Sequence, residues 1–392
     1  MPSTRVRPAL GALVALLALA GCSQEDRGRA PDSARTPSYS PSPRPAPGPW
    51  GRDRVVSADC TKGGRFVAVS VRSWDPDAWK PVAERSFDVP ESVVFWQEPG
   101  REAVLTPLFD LCRENPSDAV YTSDALERVV PRVRALFDRD FTRMAVVLRT
   151  PDGKGTHVGF VDEKGLTDLT ARDGRPGASR REQNAVLAPD GSRVWFTYEA
   201  PDGRARIGSR AVTGNAALRD EGPAAAANLP LVVLDGPPRA VQAEMVHVSP
   251  DGRRTTASTE DRGQVLLDVP ARSTALTEAA AERAASLGEC LHAVGWAGPD
   301  RLLCRTREGT FRTFGTAPGA APGPVLPAAG GVGNEGLVVS PDGSRFLLVE
   351  HPPGDPYAGF RGFRVAGTEP GAPSATVPAE ALNGQSLLLE WR

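Results

Sequence analysis

Lysine and isoleucine are nearly missing from this sequence. It contains four lysines against 42 arginines, and Ile207 is its only isoleucine. Arginine codons are rich in G and C, whereas lysine and isoleucine codons are rich in A and T. The bias therefore indicates a high-GC bacterium, such as an actinomycete, and the many arginines do not by themselves indicate nucleic-acid binding.

The sequence also has no basic block and no apolar run long enough to cross a bilayer. Its 46 basic and 48 acidic side chains nearly cancel, which argues against nucleic acid or an anionic membrane surface as the ligand. The longest apolar stretch, residues 8–20, has 13 residues. A membrane-spanning helix needs about 20, so none is predicted.

Signatures of several enzyme classes are missing as well. There is no His-Glu-x-x-His zinc motif, no Gly-x-Ser-x-Gly nucleophile elbow and no phosphate-binding loop. The histidines stand at different positions relative to the repeats described below, so they are predicted to be structural or surface residues. They are His157, His247, His292 and His351. We therefore predict no catalytic residues, no metal site and no cofactor.

The N-terminus has the pattern of an export signal. Arg5 and Arg7 precede the apolar stretch, which ends in Leu19-Ala-Gly-Cys22. This ending resembles a bacterial lipobox, which implies that residues 1–21 are a signal peptide and that Cys22 becomes diacylated. The alternative is an ordinary secretory signal. A diacylated chain would be anchored at the outer face of the cytoplasmic membrane.

A proline-rich segment follows the predicted lipidation site. Residues 23–50 contain seven prolines, mixed with serine, arginine and alanine. Such a composition cannot bury a core and predicts a disordered, semi-extended tether over residues 22–50. At about 3.1 Å per residue it would span up to roughly 85 Å. Residues 51–392 then form the folded domain.

The remaining four cysteines favour disulfides over a metal site. No Cys-x-x-Cys pair is present, and an even number in an exported chain is typical of disulfide bonding. Four cysteines allow three pairings. Proximity in the sequence favours Cys290–Cys304, which leaves Cys60 with Cys112.

An internal repeat predicts the fold. Its clearest copies are Leu187-Ala-Pro-Asp-Gly-Ser-Arg-Val-Trp-Phe196, Val248-Ser-Pro-Asp-Gly-Arg-Arg254 and Val339-Ser-Pro-Asp-Gly-Ser-Arg-Phe-Leu-Leu348. Proline sets φ at the second turn position, aspartate follows, and glycine accepts the positive φ of a hairpin bulge. The apolar residues on both sides have the length of short strands.

Weaker copies extend the series over most of the chain. They lie at residues 62–69, 99–105, 138–147 and 298–304. We place the start of the second strand of each copy at positions 65, 101, 143, 193, 254, 303 and 345, at intervals close to one propeller blade. The sequence therefore predicts an all-β protein, a β-propeller of six or seven four-stranded blades; a β-sandwich is the competing fold. Residues 387–391 are predicted to close the ring against the first blade, and residues 277–288 to contain a short helix. Residues 51–135 are either two irregular blades or a separate cap.

The repeat resembles the WD40-like repeat of TolB-type propellers, in which Ser/Ala-Pro-Asp-Gly-Ser-Arg precedes an apolar strand. This resemblance covers most of residues 55–365 and implies the fold. Known TolB proteins also have an N-terminal α/β domain and bind a peptidoglycan-associated lipoprotein under an outer membrane. This chain has no clear α/β domain and itself carries the lipobox, so that partner is not carried over.

One pair of loops is predicted to form a binding surface. The loop after the second strand of the first blade and the equivalent loop of the last blade are expected to meet when the ring closes, bringing aromatic and acidic side chains together. These residues are Trp74, Asp75, Asp77, Trp79, Asp355, Tyr357 and Phe360. The alternative is that the rings pack onto the blade edges.

Three functions are open at this point. The first is a monomeric, membrane-anchored propeller that acts as an interaction or scaffold module for another cell-envelope protein. The second is a glycan or small-molecule binder, for which the aromatic loops are the support. The third is a propeller hydrolase or lactonase, which needs carboxylates that converge at the channel mouth.

Overall fold

The computed structural model describes residues 50–63, 66–95, 106–112, 123–173, 181–224, 231–234, 239–242, 247–259, 263–269, 283–326, 334–351, 361–382 and 386–392. The predicted signal peptide (residues 1–21), residues 22–49 of the tether with Cys22, and Asp355, Tyr357 and Phe360 lie outside these residues. The 99–105 repeat and most of the helix predicted at residues 277–288 lie outside them too. Trp50 packs against Phe141, with 5.1 Å between ring centroids, so the folded part includes this last residue of the predicted tether.

The described strands form antiparallel sheets that follow one another along the chain. We number them sheets 1 to 7. Sheet 1 contains β1 (Val55–Gly63), β2 (Phe66–Trp74), β3 (Pro81–Val89) and, from the end of the chain, β23 (Leu387–Trp391). Sheet 2 contains β4 (Met144–Arg149), β5 (Thr156–Asp162) and β6 (Gly165–Asp168). Sheet 3 contains β7 (Glu182–Leu187), β8 (Arg193–Glu199), β9 (Ala205–Ala211) and β10 (Arg219–Pro223). Sheet 4 is the hairpin of β11 (Leu231–Leu234) and β12 (Arg239–Gln242), and sheet 5 contains β13 (Arg254–Thr259), β14 (Gly263–Asp268) and β15 (Ala285–Ser286). Sheet 6 contains β16 (Cys290–Trp296), β17 (Arg301–Thr306) and β18 (Phe311–Gly315). Sheet 7 contains β19 (Glu335–Val339), β20 (Arg345–Glu350), β21 (Gly362–Gly367) and β22 (Ser374–Thr376).

Sheets 1, 3 and 7 have the four strands that the repeat predicts. Two of the smaller sheets gain a further short segment. In sheet 5, Val248 forms an isolated bridge to Thr255. In sheet 6, the N–H of Leu326 donates to the carbonyl of Phe311. The four-stranded pattern therefore extends beyond the sheets in which all four strands are regular.

Successive sheets pack against each other through apolar faces. Sheet 1 contacts sheet 2, sheet 2 contacts sheet 3, sheet 3 contacts the hairpin of sheet 4, and sheets 5, 6 and 7 contact one another in turn. β19 of sheet 7 contacts β23 of sheet 1. The predicted closing strand is confirmed, because β23 pairs with β1 in register Val55↔Trp391. Consecutive antiparallel sheets, the first completed by the last strand, are the architecture of a β-propeller.

The Pro-Asp-Gly turns have the predicted backbone. Gly191, Gly252 and Gly343 have φ of 67°, 71° and 74°, which glycine adopts without steric cost. In the last of these turns, the Asp342 carboxylate accepts hydrogen bonds from the Ser340 hydroxyl (2.6 Å) and the Ser344 N–H (3.0 Å). Together with the bond from the Ser344 hydroxyl they lower the pKa of Asp342 to about 2. Each aspartate is therefore part of the turn, as the sequence predicts.

The region 51–135 contains sheet 1 and a helical insertion. α1 (Pro107–Leu111) begins after Thr106, whose hydroxyl caps it, and α2 (Ser123–Arg134) follows. A third short helix, α3 (Leu169–Arg172), follows β6. The anchor predicted at position 65 is displaced, because β2 is the third strand of sheet 1 once β23 is counted as the first.

Both predicted disulfides are present. Cys60–Cys112 links β1 to the end of α1, and Cys290–Cys304 links the paired strands β16 and β17. None of the helices in the described ranges is long and apolar enough to cross a membrane.

Candidate functional site

The Pro-Asp-Gly turns that precede β8, β13 and β20 lie at one end of the sheets, which we call the turn face; those at residues 151–153 and 201–203 lie at the other end. In six sheets an arginine stands at, or directly before, the first residue of the strand that begins at the turn face. These residues, the arginine series, are Arg54, Arg143, Arg193, Arg254, Arg301 and Arg345. Because the position is repeated, the series compares the same feature in six sheets.

Most members of the arginine series have a carboxylate partner. Arg54 lies 3.6 Å from Asp75, and Arg143 lies 3.9 Å from Asp138. Arg193 donates to the hydroxyl of Ser209 at 3.1 Å, and that hydroxyl in turn donates to a carboxylate. Each of these partners belongs to the arginine's own sheet or to a loop next to a strand of that sheet.

Three members of the series reach the next sheet. Arg345 donates to Asp77 at 2.7 Å, and Arg301 donates to Glu369 at 3.1 Å. Arg254 donates at 3.4 Å to the main-chain carbonyl of Thr316. The arginine series thus bridges neighbouring sheets at the rim of the turn face.

A cavity on the turn face lies beside two of these arginines. It is an open groove of about 510 Å³ between sheets 5, 6 and 7. Its charged lining residues are Arg254, Asp300, Arg301 and Glu369, and small residues and prolines of two loops form its sides. This size is within the range of ligand-binding clefts. The residues of this groove come from three sheets, so the groove could not be predicted from the sequence.

The predicted aromatic surface has a different geometry from the one expected. The loop 75–80 meets the beginning of β20, where Arg345 pairs with Asp77, and not the end of β20, from which residues 351–361 continue. The reason is the strand order of sheet 1: β2 is its third strand, whereas β20 is the second strand of sheet 7. Asp355, Tyr357 and Phe360 lie outside the described residues.

The two tryptophans of this prediction pack inward. The Trp74 side chain is only 6% exposed, and its indole N–H donates to the Ser57 hydroxyl at 3.0 Å. Trp79 is half-buried against the core of sheet 1. Asp75 accepts hydrogen bonds from the N–H groups of Ala78 and Asp77, which lower the pKa of its carboxyl group. Of the four predicted residues in this loop, Trp74, Asp75, Asp77 and Trp79, Asp77 is the exposed one.

A buried ionic network joins sheets 2 and 3. The Arg210 side chain is 1% exposed and donates to Glu182 at 2.7 Å and to Asp173 at 2.9 Å. Glu182 also accepts the N–H of Val158 at 2.9 Å. Burial lowers the pKa of Arg210, but the two carboxylates outweigh it and raise the pKa overall. Every charge of this network is paired, so it serves packing between the sheets.

His157 lies beside this network. Its Nδ1 is 2.9 Å from the Asp168 carboxylate, and this hydrogen bond raises the pKa of His157. Burial raises the pKa of Asp168, but the hydrogen bonds from His157 and from the Ala171 N–H outweigh it and lower the pKa overall. Within the described ranges, no group of three or more His, Cys, Asp or Glu residues is arranged to hold a metal ion.

Helix α2 contacts strands of three separate sheets: β23 of sheet 1, β11 of sheet 4 and β16 of sheet 6. Each of these strands is the first strand of its sheet. The helix is fixed by Arg134, which is hydrogen-bonded to Glu390, and by the 3.8 Å pair between Arg132 and Asp110 of α1. This helix was not predicted from the sequence.

Comparisons with known proteins return distant structural matches. No protein-family model matches the chain, and no curated protein matches its sequence. Similar solved structures include TolB from Acinetobacter baumannii (14% identity, 83% of this chain and 69% of that one, TM-score 0.30). A puromycin-hydrolyzing peptidase of Mycobacterium tuberculosis (15%, 86% and 54%, 0.33) and a putative 6-phosphogluconolactonase from Bacteroides uniformis (11%, 83% and 82%, 0.34) are also similar. Because these TM-scores are low, the propeller architecture is inferred from the sheet topology and not from these matches.

Proposed function

We propose that this chain is a lipid-anchored propeller that docks another protein of the cell envelope. The domain is a ring of six blades, sheets 1, 2, 3, 5, 6 and 7, with the hairpin of sheet 4 inserted as a reduced seventh. Cys22 carries the lipid at the outer face of the cytoplasmic membrane of a high-GC bacterium, residues 22–50 are the tether, and the propeller is monomeric.

The docking function is supported by a difference between the ring axis, where a helix of this chain lies, and the turn face, which contains an open groove. The first strands of propeller blades surround the central channel. Because α2 contacts the first strands of three sheets, we place it on this axis. The chain's own helix then occupies the place where a channel ligand would bind, whereas the groove between sheets 5, 6 and 7 is open to solvent.

The composition of the groove favours a protein segment as its occupant. Ala317, Ala320 and Pro324 give small apolar contacts, and Arg254 and Arg301 give hydrogen-bond donors at the rim. Arginine beside apolar contacts is typical of protein interfaces. The glycan alternative depended on exposed tryptophans, and Trp74 is buried. No described observation favours the hydrolase or lactonase over docking.

A site-specific photo-crosslinker tests the docking function. The crosslinking residue is placed at Ala317 in the groove and, as the matched control, at Leu166, a 37% exposed residue on the outer strand of sheet 2. In native membranes we expect one discrete product from position 317 and not from position 166. Equal products from both positions, or none, would contradict a specific docking groove.

The anchor has its own test. Cys22→Ala should abolish fatty-acid labelling and move the protein from the membrane fraction to the soluble fraction. Retention of label in that variant would show that Cys22 is not the lipidation site.

A further inference from the structure

Two loops of the turn face have nearly the same sequence and the same local structure. The loop after β18 reads Gly315-Thr-Ala-Pro-Gly-Ala320, and the loop after β21 reads Gly367-Thr-Glu-Pro-Gly-Ala372. In both, the fifth residue has positive φ (Gly319 75°, Gly371 77°). In both, the N–H of the sixth residue donates to the carbonyl of the third, at 3.1 and 3.2 Å. The loops therefore differ in one side chain, Ala317 against Glu369.

Each loop is also held by an equivalent bond within its own sheet. The N–H of Thr316 donates to the Asp300 carbonyl of the β16–β17 turn, and the N–H of Thr368 donates to the Ser344 carbonyl of the β19–β20 turn, both at 2.9 Å. Position 317 therefore has the same place in sheet 6 that position 369 has in sheet 7.

The difference removes a carboxylate from the loop of sheet 6. Glu369 pairs with Arg301 of the preceding sheet. The corresponding arginine for the loop of sheet 6 is Arg254, which donates to the carbonyl of Thr316, the residue before Ala317, at 3.4 Å. Asp251 of its own turn lies near enough to interact with Arg254, but within the described part of the chain no carboxylate forms an ion pair with it. The missing side chain opens space in the groove that Arg254 lines.

We propose that the partner supplies this carboxylate. An extended segment of the docked protein lies in the groove and places an aspartate or glutamate side chain against Arg254, in the position that Glu369 takes against Arg301. This inference rests on the proposed docking function and identifies the chemistry of the partner. A guanidinium accepts a carboxylate through two parallel hydrogen bonds, which fixes orientation as well as affinity.

The other charges of the groove agree with an extended peptide. Arg301 and Glu369 neutralise each other, which leaves Arg254 and Asp300 to face the occupant. Asp300 is exposed and accepts hydrogen bonds only. The main-chain N–H groups of an extended segment are free to donate to it, whereas those of a helix are already used.

The test uses the full chain and two pools of short labelled peptides with amidated C-termini. The pools are identical except for a central residue, glutamate in one and glutamine in the other. We expect the wild-type chain to bind the glutamate pool about ten- to a hundredfold more tightly, as a hydrogen-bonded charge pair implies. Arg254→Gln should remove this preference, whereas Arg193→Gln, at the equivalent position of sheet 3, should retain it.

A second variant fills the groove from within the chain. Ala317→Glu recreates the sequence of the sheet 7 loop, so it should fold with at least the wild-type thermal stability and lose the preference for glutamate. A preference that persists in Arg254→Gln or Ala317→Glu, or is lacking in the wild type, would overturn the proposal. If the crosslink from position 317 is still obtained in that case, the docking function is retained and only the role of Arg254 is rejected. If that crosslink is missing too, the proposed docking function is rejected as well.

Discussion

The two halves of this propeller are joined by different means. Sheets 2 and 3 are connected by the fully buried ionic network at Arg210, and a disulfide between residues 52 positions apart ties sheet 1 to α1. Sheets 5 to 7 are connected at their rim by exposed arginine contacts and, between sheets 6 and 7, by the largely buried pair of Arg305 and Glu335 at 3.3 Å; their disulfide spans 14 positions within one hairpin. The open groove lies in this second half.

This difference separates stability from recognition. A buried charge that loses its partner is costly, so the contacts at Arg210 hold sheets 2 and 3 in one arrangement. An exposed ion pair contributes little to the free energy of unfolding. The contacts at the rim of sheets 5 to 7 can therefore be replaced by contacts with a partner at a small cost in stability. Substitutions in the two halves test this separation of stability from recognition.

The largest effect is expected at the buried network. Arg210→Met leaves Glu182 and Asp173 without their shared cation in the interior. Loss of one member of a buried ion pair typically costs about 3–5 kcal/mol, so the free energy of unfolding should fall by that amount. Chemical denaturation measures it. A change under about 1 kcal/mol would mean that the network does not hold the sheets together.

The two disulfides should differ in their contribution. Removing either one as a double alanine variant should cost about 2–4 kcal/mol, with Cys60–Cys112 the larger by about 1 kcal/mol because it closes the longer loop. Cys290 and Cys304 also lie on strands that are already paired. Equal or reversed losses of the free energy of unfolding in denaturation experiments would contradict the view that the Cys60–Cys112 disulfide is the more stabilising of the two.

A smaller effect is expected from pH at the junction of sheets 2 and 3. The pKa of His157 is raised in the folded state, so its pairing with Asp168 stabilises fully below the ordinary pKa of about 6.5 and is lost as the pH rises through the folded value. The lowered pKa of Asp168 means that its own contribution is lost only on strong acidification. The stability difference between wild type and His157→Asn should therefore shrink as the pH rises above about 6.5 and through the raised folded-state pKa. A constant difference would show that the pair does not titrate in this window.

The smallest effect is expected at the rim. Arg301→Gln removes the exposed pair with Glu369 and should change the free energy of unfolding by less than about 1 kcal/mol. Thermal denaturation beside Arg210→Met provides the comparison. A loss as large as that of Arg210→Met would remove the distinction between the two halves.

The sequence predicted the features that depend on local chemistry. Proline, aspartate and glycine at fixed spacing specify the turns that begin β8, β13 and β20, and the positive φ of Gly191, Gly252 and Gly343 follows from them. The last strand was predicted from its apolar run, and its pairing with β1 is as expected. Both disulfide pairings were predicted from spacing alone.

The features that depend on distant contacts were not predicted. Arg210 stands on a strand among polar neighbours, and nothing local indicates that two carboxylates from sheet 2 and β7 surround it. Helix α2 was missed because faint turn-like copies suggested irregular blades. The loop at Trp74 lies beside the beginning of β20, a position that the sequence does not show because the end of the chain supplies the first strand of sheet 1. The likeness between residues 315–320 and 367–372 was visible, but its meaning depends on where Arg254 and Arg301 reach.

The most direct test of the account is hydrogen exchange of the full chain, alone and with the peptide pool that contains glutamate. We predict that the peptide slows exchange in the groove segments, residues 300–301, 313–326 and 368–370, and leaves the junction of sheets 2 and 3, residues 156–173 and 205–211, unchanged. Protection that is centred on sheets 2 and 3, or spread evenly over the domain, would contradict the assignment of recognition to the open half.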